Sequence, residues 1–509
     1  MIDSKRIAKN TGFLYVRMLL IMAVALYTSR VVLDVLGVAD YGLYNLVGGI
    51  VGMLSFLNGT LATATSRFLA FDIGVGDFKR LKQTFNTTLV AHLGVGILVI
   101  LLMETIGLWY VYNKAIIPAE RFESTLWVFH ISVVTVLVTF TQVPYTSLIM
   151  AHEQMKAFAY ISLLEAVLKL SIAFLITISP IDRLVFYAIL MFLSQLVVAM
   201  IYRSYCYRYW SESHLTREFS FSTFKSLLSF SGWNIISHLA ETFRVQGLIM
   251  LFGMFFLPVV IAAQSIATQL SHGITQFTNN FRVAINPQII KLYATKQYDE
   301  SRKLTLESSV YVFELYLLFG IPIFLLAEPI MHLWLKDVPD YAIAFSRCII
   351  VSAMFGVFSA GFYTPLTASG KLRGNSIAAL CVCGGQFVLA YVLLKLGLDV
   401  MWVQYGYIVV AILFGLVIKP YLLIREVGYQ VADFLTCFKK VFSVFMLSFI
   451  LPFCVFLSVD VNTLGGFVAV GVVSVLSVTF VSYSFLPKDI RLKIISRIRE
   501  RMQRKWHND

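Results

Sequence analysis

Charged side chains are scarce in this chain. Asp, Glu, Lys and Arg make up 14% of its 509 residues, against about 25% in a soluble domain. Polar stretches of domain size are missing too. Apolar runs recur from end to end, and the longest segments between them are about 20–25 residues, set against the ~20 needed to cross hydrocarbon. No separate soluble domain is expected. Cysteine is sparse: Cys206, Cys348, Cys381, Cys383, Cys437 and Cys454 lie scattered, mostly inside apolar runs. No C-x-x-C spacing occurs, which excludes a disulfide framework and a cysteine zinc site. No P-loop occurs, so ATP is not the direct energy source, and neither a metal nor a cofactor is expected. The formal net charge of +13 would suggest nucleic acid in a soluble protein. Here the basic residues sit in short segments between apolar runs, which fits an anionic membrane leaflet and no nucleic acid.

What the chain has in excess is hydrocarbon: 59% of its residues are hydrophobic and its mean hydropathy is +0.80. The runs are too long and too little alternating for barrel strands, so they read as membrane-spanning helices. Fourteen spans are predicted, near 11–36, 40–70, 83–112, 122–150, 156–180, 183–206, 226–256, 259–290, 304–334, 342–368, 374–396, 400–424, 440–459 and 463–486. The first run comes after Lys5, Arg6 and Lys9. It is too long for a signal-peptide core and lacks a clear small-x-small cleavage site, so it reads as a retained helix. Thirty-one Lys and Arg lie on the side that holds the N-terminus, and six (Lys114, Arg121, Arg183, Lys336, Arg347, Lys395) on the other. By the positive-inside rule both ends are cytoplasmic. The tail 488–509 reads either as a basic amphipathic helix on the inner leaflet or as a solvated tail that only fixes orientation.

A shift of about 220 residues superimposes the two halves. Thr11-Gly12-Phe13 falls on Ser231-Gly232-Trp233, Ala64-Thr65-Ser66 on Ala284-Ile285-Asn286, and Pro144 on Pro365. The loops Ala151-His152-Glu153-Gln154-Met155-Lys156 and Ala368-Ser369-Gly370-Lys371-Leu372-Arg373 match as well. Six spans per repeat is an even number, so the copies share one topology about an axis along the membrane normal. The expected organisation is an N-lobe over 1–210, a C-lobe over 211–425, two extra helices over 426–487 and the basic tail.

Ser29-Arg30, with Leu36-Gly37-Val38-Ala39-Asp40-Tyr41-Gly42-Leu43-Tyr44-Asn45 after it, resembles the first-to-second-helix junction of the polysaccharide transport family. These are the Wzx-type flippases of the multidrug/oligosaccharidyl-lipid/polysaccharide (MOP) exporter superfamily. The two repeats, the proline-bearing fourth span with its Ala-x-x-x-x-Lys loop and the basic ends reinforce the likeness along essentially the whole chain. The spacing from Arg30 to Gly37 is longer than the compact Arg-x-Leu-Gly of many members. The resemblance implies an all-α polytopic protein of the bacterial cytoplasmic (inner) membrane, MATE/MurJ-like in fold. It implies alternating access that turns an undecaprenyl-diphosphate-linked oligosaccharide from the cytoplasmic to the periplasmic leaflet. That cargo would be an O-antigen or other surface-polysaccharide unit, as in lipopolysaccharide biosynthesis. The implied partners are that glycan, membrane lipids and the polysaccharide polymerase or ligase machinery, with the chain a monomer and not an enzyme. Fourteen spans are also similar to the lipid II flippase branch, whose two extra helices border a groove for the lipid tail.

Four basic residues lie inside spans away from loop ends: Arg17, Arg30, Lys169 and Arg244. Such residues cost about 2.5–3.5 kcal/mol at a helix centre on insertion scales and usually face a bundle interior or a water-filled cavity. Shifted by the repeat, Arg244 falls about seven residues from Arg17, on nearly the same helix face. Two guanidinium groups on one wall suit a diphosphate; the alternative is a pair with a neighbouring carboxylate, and Arg244 has Glu241 one turn away. Arg30 has Asp34 at i+4, readable as a structural pair or as a gating group, and Glu165 has Lys169 at i+4, readable as a mutually neutralising pair or as a substrate-binding cavity cation with a gating carboxylate. In the eighth span Gln264, Thr268, His272, Thr275, Asn279, Arg282 and Asn286 fall within a sector of about 80°. That stripe reads as a hydrated wall for sugar hydroxyls or as interhelical hydrogen bonding. The equivalent second-span positions are nearly all small, which allows either close packing or open space. His238 beside Glu241, and Glu314 at the repeat position of His92, are candidates for carrying protons.

Two rivals remain. A multidrug–cation antiporter of the same fold would be expected to offer an acid in its first helix, where Arg17 stands instead. A membrane enzyme acting on lipid-linked sugars needs paired carboxylates near the surface, and the short loops between spans hold none.

Overall fold

The computed structural model describes residues 4–216, 218–230, 232–486 and 491, with side chains in 18–216, 218–227, 235, 236, 238–486 and 491. Every regular element among them is helical, as expected. In chain order these are α1 (Ser4–Gly52), α2 (Ser55–Val75), α3 (Phe78–Leu102), α4 (Leu108–Asn113), α5 (Phe122–Ala151), α6 (Met155–Leu175) and α7 (Arg183–Tyr209). Next come α8 (Phe221–Phe230), α9 (Gly232–Phe255), α10 (Pro258–Ala294), α11 (Tyr298–Leu325), α12 (Ala327–Trp334), α13 (Ala342–Ala360) and α14 (Tyr363–Ala368). The last are α15 (Arg373–Lys395), α16 (Val400–Ile412), α17 (Lys419–Val427), α18 (Val431–Ser458) and α19 (Leu464–Phe485). A π-helical turn, Met103–Gly107, joins α3 to α4, and another, Leu413–Ile418, joins α16 to α17.

The first-to-second-helix junction shows why its glycines are needed. Gly37 breaks α1 with φ 80° and ψ 164°, a conformation that side chains with a Cβ rarely adopt. At Gly42 a Cβ would stand 2.0 Å from the Pro258 carbonyl oxygen, so the second helix can approach the start of α10 only with no side chain there. One glycine makes the turn and the other the contact.

Among the described residues, eleven helices are long and apolar enough to cross a membrane. The other expected crossings correspond to 38–52 continued by α2, to α9 and to α10, so the segmentation is compatible with fourteen. α10 falls short of that apolar standard because of its polar stripe. Several helices run past the expected hydrocarbon limits: α18 begins at Val431, where Gln430 and Asp433 form a reciprocal cap.

The repeat is visible in backbone geometry. After α2, Gly76 takes φ 77°; after α10, Lys296 takes φ 62°. After α5, Glu153 takes φ 56°; after α14, Gly370 takes φ 72°. The same hydrogen bonds close the second pair of turns, Gln154 N–H to Ile149 C=O at 3.0 Å and Lys371 N–H to Leu366 C=O at 3.1 Å. A polar tie recurs too: Ser66 Oγ donates to Ser147 Oγ at 3.1 Å, and Thr364 Oγ1 to Asn286 Oδ1 at 2.9 Å.

The chain packs into two compact units. One comprises Met1–Gln269, Trp334–Phe345 and Leu372–Gly406; the other Leu270–Leu333, Ser346–Lys371 and Tyr407–Asp509. In the first, α5 packs along α7 and α3, and α9 along α15 and against α1 and α2. Leu69, Leu81, Phe85 and Leu148 are fully buried there. In the second, α18 packs along α19 and both lie against α11. These units are groupings by packing and interleave along the chain, whereas the lobes are groupings by repeat. The small residues of the second span divide between close packing and open space. A Cβ at Gly49 would meet Ile249 at 2.5 Å, and one at Gly52 would meet Gln246 at 3.1 Å. Gly48 has nothing within 4 Å.

Candidate functional site: polar groups at membrane depth

In the first unit, Gln264 of α10 is buried, and its Oε1 accepts from Gln404 Nε2 of α16 at 2.6 Å. Its own Nε2 reaches Thr268 Oγ1 at 3.4 Å. This end of the stripe is an amide tie between helices. Lys169 Nζ donates to Glu165 Oε1 at 2.7 Å within α6, and Arg244 Nε donates to Glu241 Oε2 at 3.0 Å within α9. Both cations therefore have a carboxylate one turn away, the local reading of each pair. His238 rests beside Gly59 and makes no hydrogen bond to Glu241. Arg30 is exposed, and its expected pairing with Asp34 is not formed. Asp34 binds Lys336 Nζ at 2.7 Å instead, because the segment around Trp334 comes up against α1, where the Trp334 indole donates to the Leu26 carbonyl at 2.8 Å. The Arg17 side chain lies outside the described residues, so its relation to Arg244 is not part of this geometry.

The second unit holds the rest of the stripe. His272 is exposed. Thr275 returns its hydroxyl to the Ser271 carbonyl at 3.1 Å. Arg282 Nη2 donates to Asn279 Oδ1 at 2.7 Å, and Asn286 accepts from Thr364 as above. Arg282 is partly buried. Among the described residues Asn279 is its one protein partner, and no carboxylate lies within ion-pair reach. A guanidinium carries five N–H donors in a rigid fork. Here most of them have no protein acceptor among the described residues. Glu314 of α11 is 7% exposed and has neither a hydrogen bond nor an ion pair among the described residues. Lys440 of α18 is the charge that acts on it, with its Nζ 5.8 Å from the centroid of the Tyr311 ring.

Three clusters escaped the sequence reading. Arg121 bridges Asp40 and Asp182, with Nε to Asp40 Oδ1 at 2.8 Å and Nη1 to Asp182 Oδ2 at 2.6 Å. Burial pushes the Asp182 carboxyl up, but hydrogen bonds from Arg121 and from the Val185 and Leu184 amides outweigh it and hold the group below the usual range. On the loop after α7, the buried Glu212 accepts from His152 Nε2 at 2.7 Å, and Trp210 stacks on the His152 ring at 4.4 Å. Asn86 Oδ1 and Thr87 Oγ1 of α3 hold the same loop through the amides of Thr216 at 2.9 Å and Ser220 at 3.0 Å. The third cluster is Glu104 with His130, Oε1 to Nδ1 at 2.9 Å. A signal for it was present. Glu104 precedes the loop between the third and fourth spans by about as many residues as His130 lies beyond it, and antiparallel neighbours bring such positions to one depth.

No family model matches the chain, and no curated protein matches it in sequence. Its fold matches solved structures. The lipid II flippase MurJ in an inward closed conformation superimposes with a TM-score of 0.62 at 13% identity, over 94% of this chain and 98% of that one. An inward-facing multidrug resistance MATE family transporter of the MOP superfamily gives 0.61 at 15% identity, over 82% and 98%. A eukaryotic MATE transporter gives 0.61 at 14%, over 86% and 99%. The chain is a multi-pass, all-helical membrane protein with the fold that these MurJ and MATE transporters share.

Proposed function

We propose that the chain is a flippase that moves an undecaprenyl-diphosphate-linked oligosaccharide, an O-antigen or related surface-polysaccharide unit, from the cytoplasmic to the periplasmic leaflet. The observation that carries this reading is Arg282. It is a partly buried guanidinium with no carboxylate partner among the described residues, set in a helix stripe of amides, hydroxyls and an imidazole. A fork with most of its N–H donors uncommitted suits a diphosphate, and Asn, Gln and Thr suit sugar hydroxyls. Two carboxylates at depth, Glu165 and Glu241, are already engaged by Lys169 and Arg244, which works against a cationic substrate. The likeness to a lipid II flippase over 94% of the chain is consistent with cargo that carries a lipid tail.

In this reading the lobes 1–210 and 211–425 alternate around the cargo and helices 426–487 border its tail. The protein is a monomeric transporter of the bacterial inner membrane with both ends cytoplasmic, an orientation supported by the distribution of basic residues. Polymerase or ligase machinery would take up the product. The second reading, a multidrug–cation antiporter, has one observation in its favour: Glu314 is a buried carboxylate without an ion pair among the described residues. A leaflet-sidedness assay of lipid-linked oligosaccharide in cells lacking the protein separates them. The flippase reading expects the glycan to accumulate facing the cytoplasm. Normal delivery to the outer leaflet, with no second flippase present, sinks it.

A further inference from the structure

We propose that Glu104 and His130 form a proton-binding site at membrane depth whose occupancy governs the grip of the α3–α4 segment on α9. The two side chains meet at 2.9 Å and are 33% and 43% exposed. Glu104 lies nine residues before the end of α4 at Asn113, and His130 eight after the start of α5 at Phe122. At 1.5 Å per residue both sit ~12–14 Å below neighbouring helix ends, near the middle of a ~30 Å hydrocarbon layer. Apart from this bond, neither has a hydrogen-bond or ion-pair partner among the described residues. Among the described side chains, the charged and titratable groups on the elements packed against the turn are Tyr27, Arg30, Asp34, Asp40, Tyr41 and Tyr44 on α1, Lys79, Arg80, Lys82 and His92 on α3, Tyr110 and Tyr112 on α4, and Glu123 and Tyr145 on α5. None of them bonds to either residue.

Two features set this pair apart from a structural tie. First, several helix pairs at depth are joined by neutral groups, Gln142 to Gln195 at 2.7 Å, Ser66 to Ser147 at 3.1 Å and Gln264 to Gln404 at 2.6 Å, and the one His tie among them, His92 to Thr65 at 3.2 Å, has a hydroxyl and no carboxylate as its partner. Those bonds hold no proton that can leave. The Glu–His pair is net neutral with a proton on the imidazole and carries a negative charge without it. A net charge is strongly disfavoured in hydrocarbon, so release of the proton is tied to hydration of the site.

Second, Glu104 stands on the π-helical turn Met103–Gly107. Such a turn holds one extra residue, so relaxing it to α-helix rotates α4 by about 100° relative to α3. The grip lies in α4 and the loop beyond it. The Tyr110 hydroxyl donates to the Met250 carbonyl, and the Ile116 amide donates to the Gly253 carbonyl at 2.8 Å. The lack of a side chain at Gly253 admits the Tyr110 hydroxyl, which lies 3.1 Å from where a Cβ would stand. Glu104 is therefore within the turn, and the grip lies on its far side.

The proton-binding step stands on this geometry alone; coupling of that proton to transport rests on the proposed flippase function. The test uses the full-length protein in liposomes without cargo. Histidine-ring NMR and carboxyl infrared titrations are run on the wild type, on Glu104→Gln and on the double variant Glu104→Gln/His130→Asn, which rebuilds a neutral tie. Amide exchange of the 108–118 segment is measured between about pH 5 and about pH 8, the range in which histidine changes charge. We expect one histidine and one carboxyl group to titrate together in the wild type and the carboxyl signal to vanish in Glu104→Gln. After correction for intrinsic exchange, protection of the segment should vary severalfold with pH in the wild type and stay flat in the double variant. Independent titration of the two groups, or the same pH dependence of protection in the double variant, overturns the proposal. Failure of the protein to flip any glycan would refute the transport reading and leave these readouts intact.

Discussion

Replacing Arg282 with alanine removes one internal hydrogen bond, to Asn279, and no ion pair. An intramolecular hydrogen bond of this kind contributes about 0.5–1.5 kcal/mol, so membrane abundance and thermal stability should fall little. Cargo binding should suffer much more. Charge-assisted hydrogen bonds contribute about 1.5–3 kcal/mol, which is roughly 10- to 150-fold in affinity. Arg282→Lys keeps the charge and loses the fork, so it should lie between the two, because an ammonium is a point charge and not a bidentate donor. The assay is the concentration dependence of flipping in proteoliposomes, with lipid-linked diphosphate and monophosphate cargo compared. For the monophosphate the difference between wild type and variant should shrink. Unchanged apparent affinity in Arg282→Ala, with normal abundance, would refute the anion-site reasoning.

Gln264→Ala strands the Gln404 amide at a buried position and should lower stability by about 1–3 kcal/mol; thermal unfolding in detergent checks this, and the double change to leucine should recover most of the loss. Gly42→Ala drives a Cβ into the Pro258 carbonyl, 2.0 Å away, and should destabilise by about 1–3 kcal/mol or more. Gly48→Ala, with nothing within 4 Å, should be neutral or stabilise by up to about 1 kcal/mol through helix propensity. At Glu212, burial pushes the carboxyl up, but the hydrogen bonds from His152 and from its own backbone amide, with the charges of His152 and His214, hold it below the usual range. A depressed carboxyl contributes stability that is fully present above its unfolded value and is lost as pH falls through the folded one. Melting temperature should therefore drop between about pH 5 and about pH 3, and Glu212→Gln should flatten that drop.

The helices were legible because hydrocarbon demands long apolar runs whose backbone groups are satisfied internally. The repeat was legible for a related reason. The turns after α2 and α5 recur after α10 and α14 with a left-handed residue at matched positions, and each matched pair keeps a glycine in one copy. What periodicity could not give was the partner of each polar group. Gln264 and Arg282 share one helix period, yet one of them is spent on Gln404 and the other is not. That difference depends on which helix lies opposite, and a single helix does not encode it. Asp34 shows the same limit: Arg30 is its neighbour in sequence, but the partner it takes is Lys336, far along the chain. Local spacing did predict Glu165 with Lys169, because an i, i+4 pair is built by one helix alone. The Arg121 and Glu212 clusters join loops, where no period operates.

Movement of an anionic lipid-linked glycan between leaflets can be followed by reconstituting the purified full-length protein in liposomes with a fluorescent undecaprenyl-diphosphate oligosaccharide in one leaflet and monitoring its quenching from the opposite side. A flippase of this kind should give protein-dependent transfer that is strongly reduced in Arg282→Ala. No transfer above protein-free liposomes, together with uptake of organic cations by the same preparation, would contradict the flippase reading.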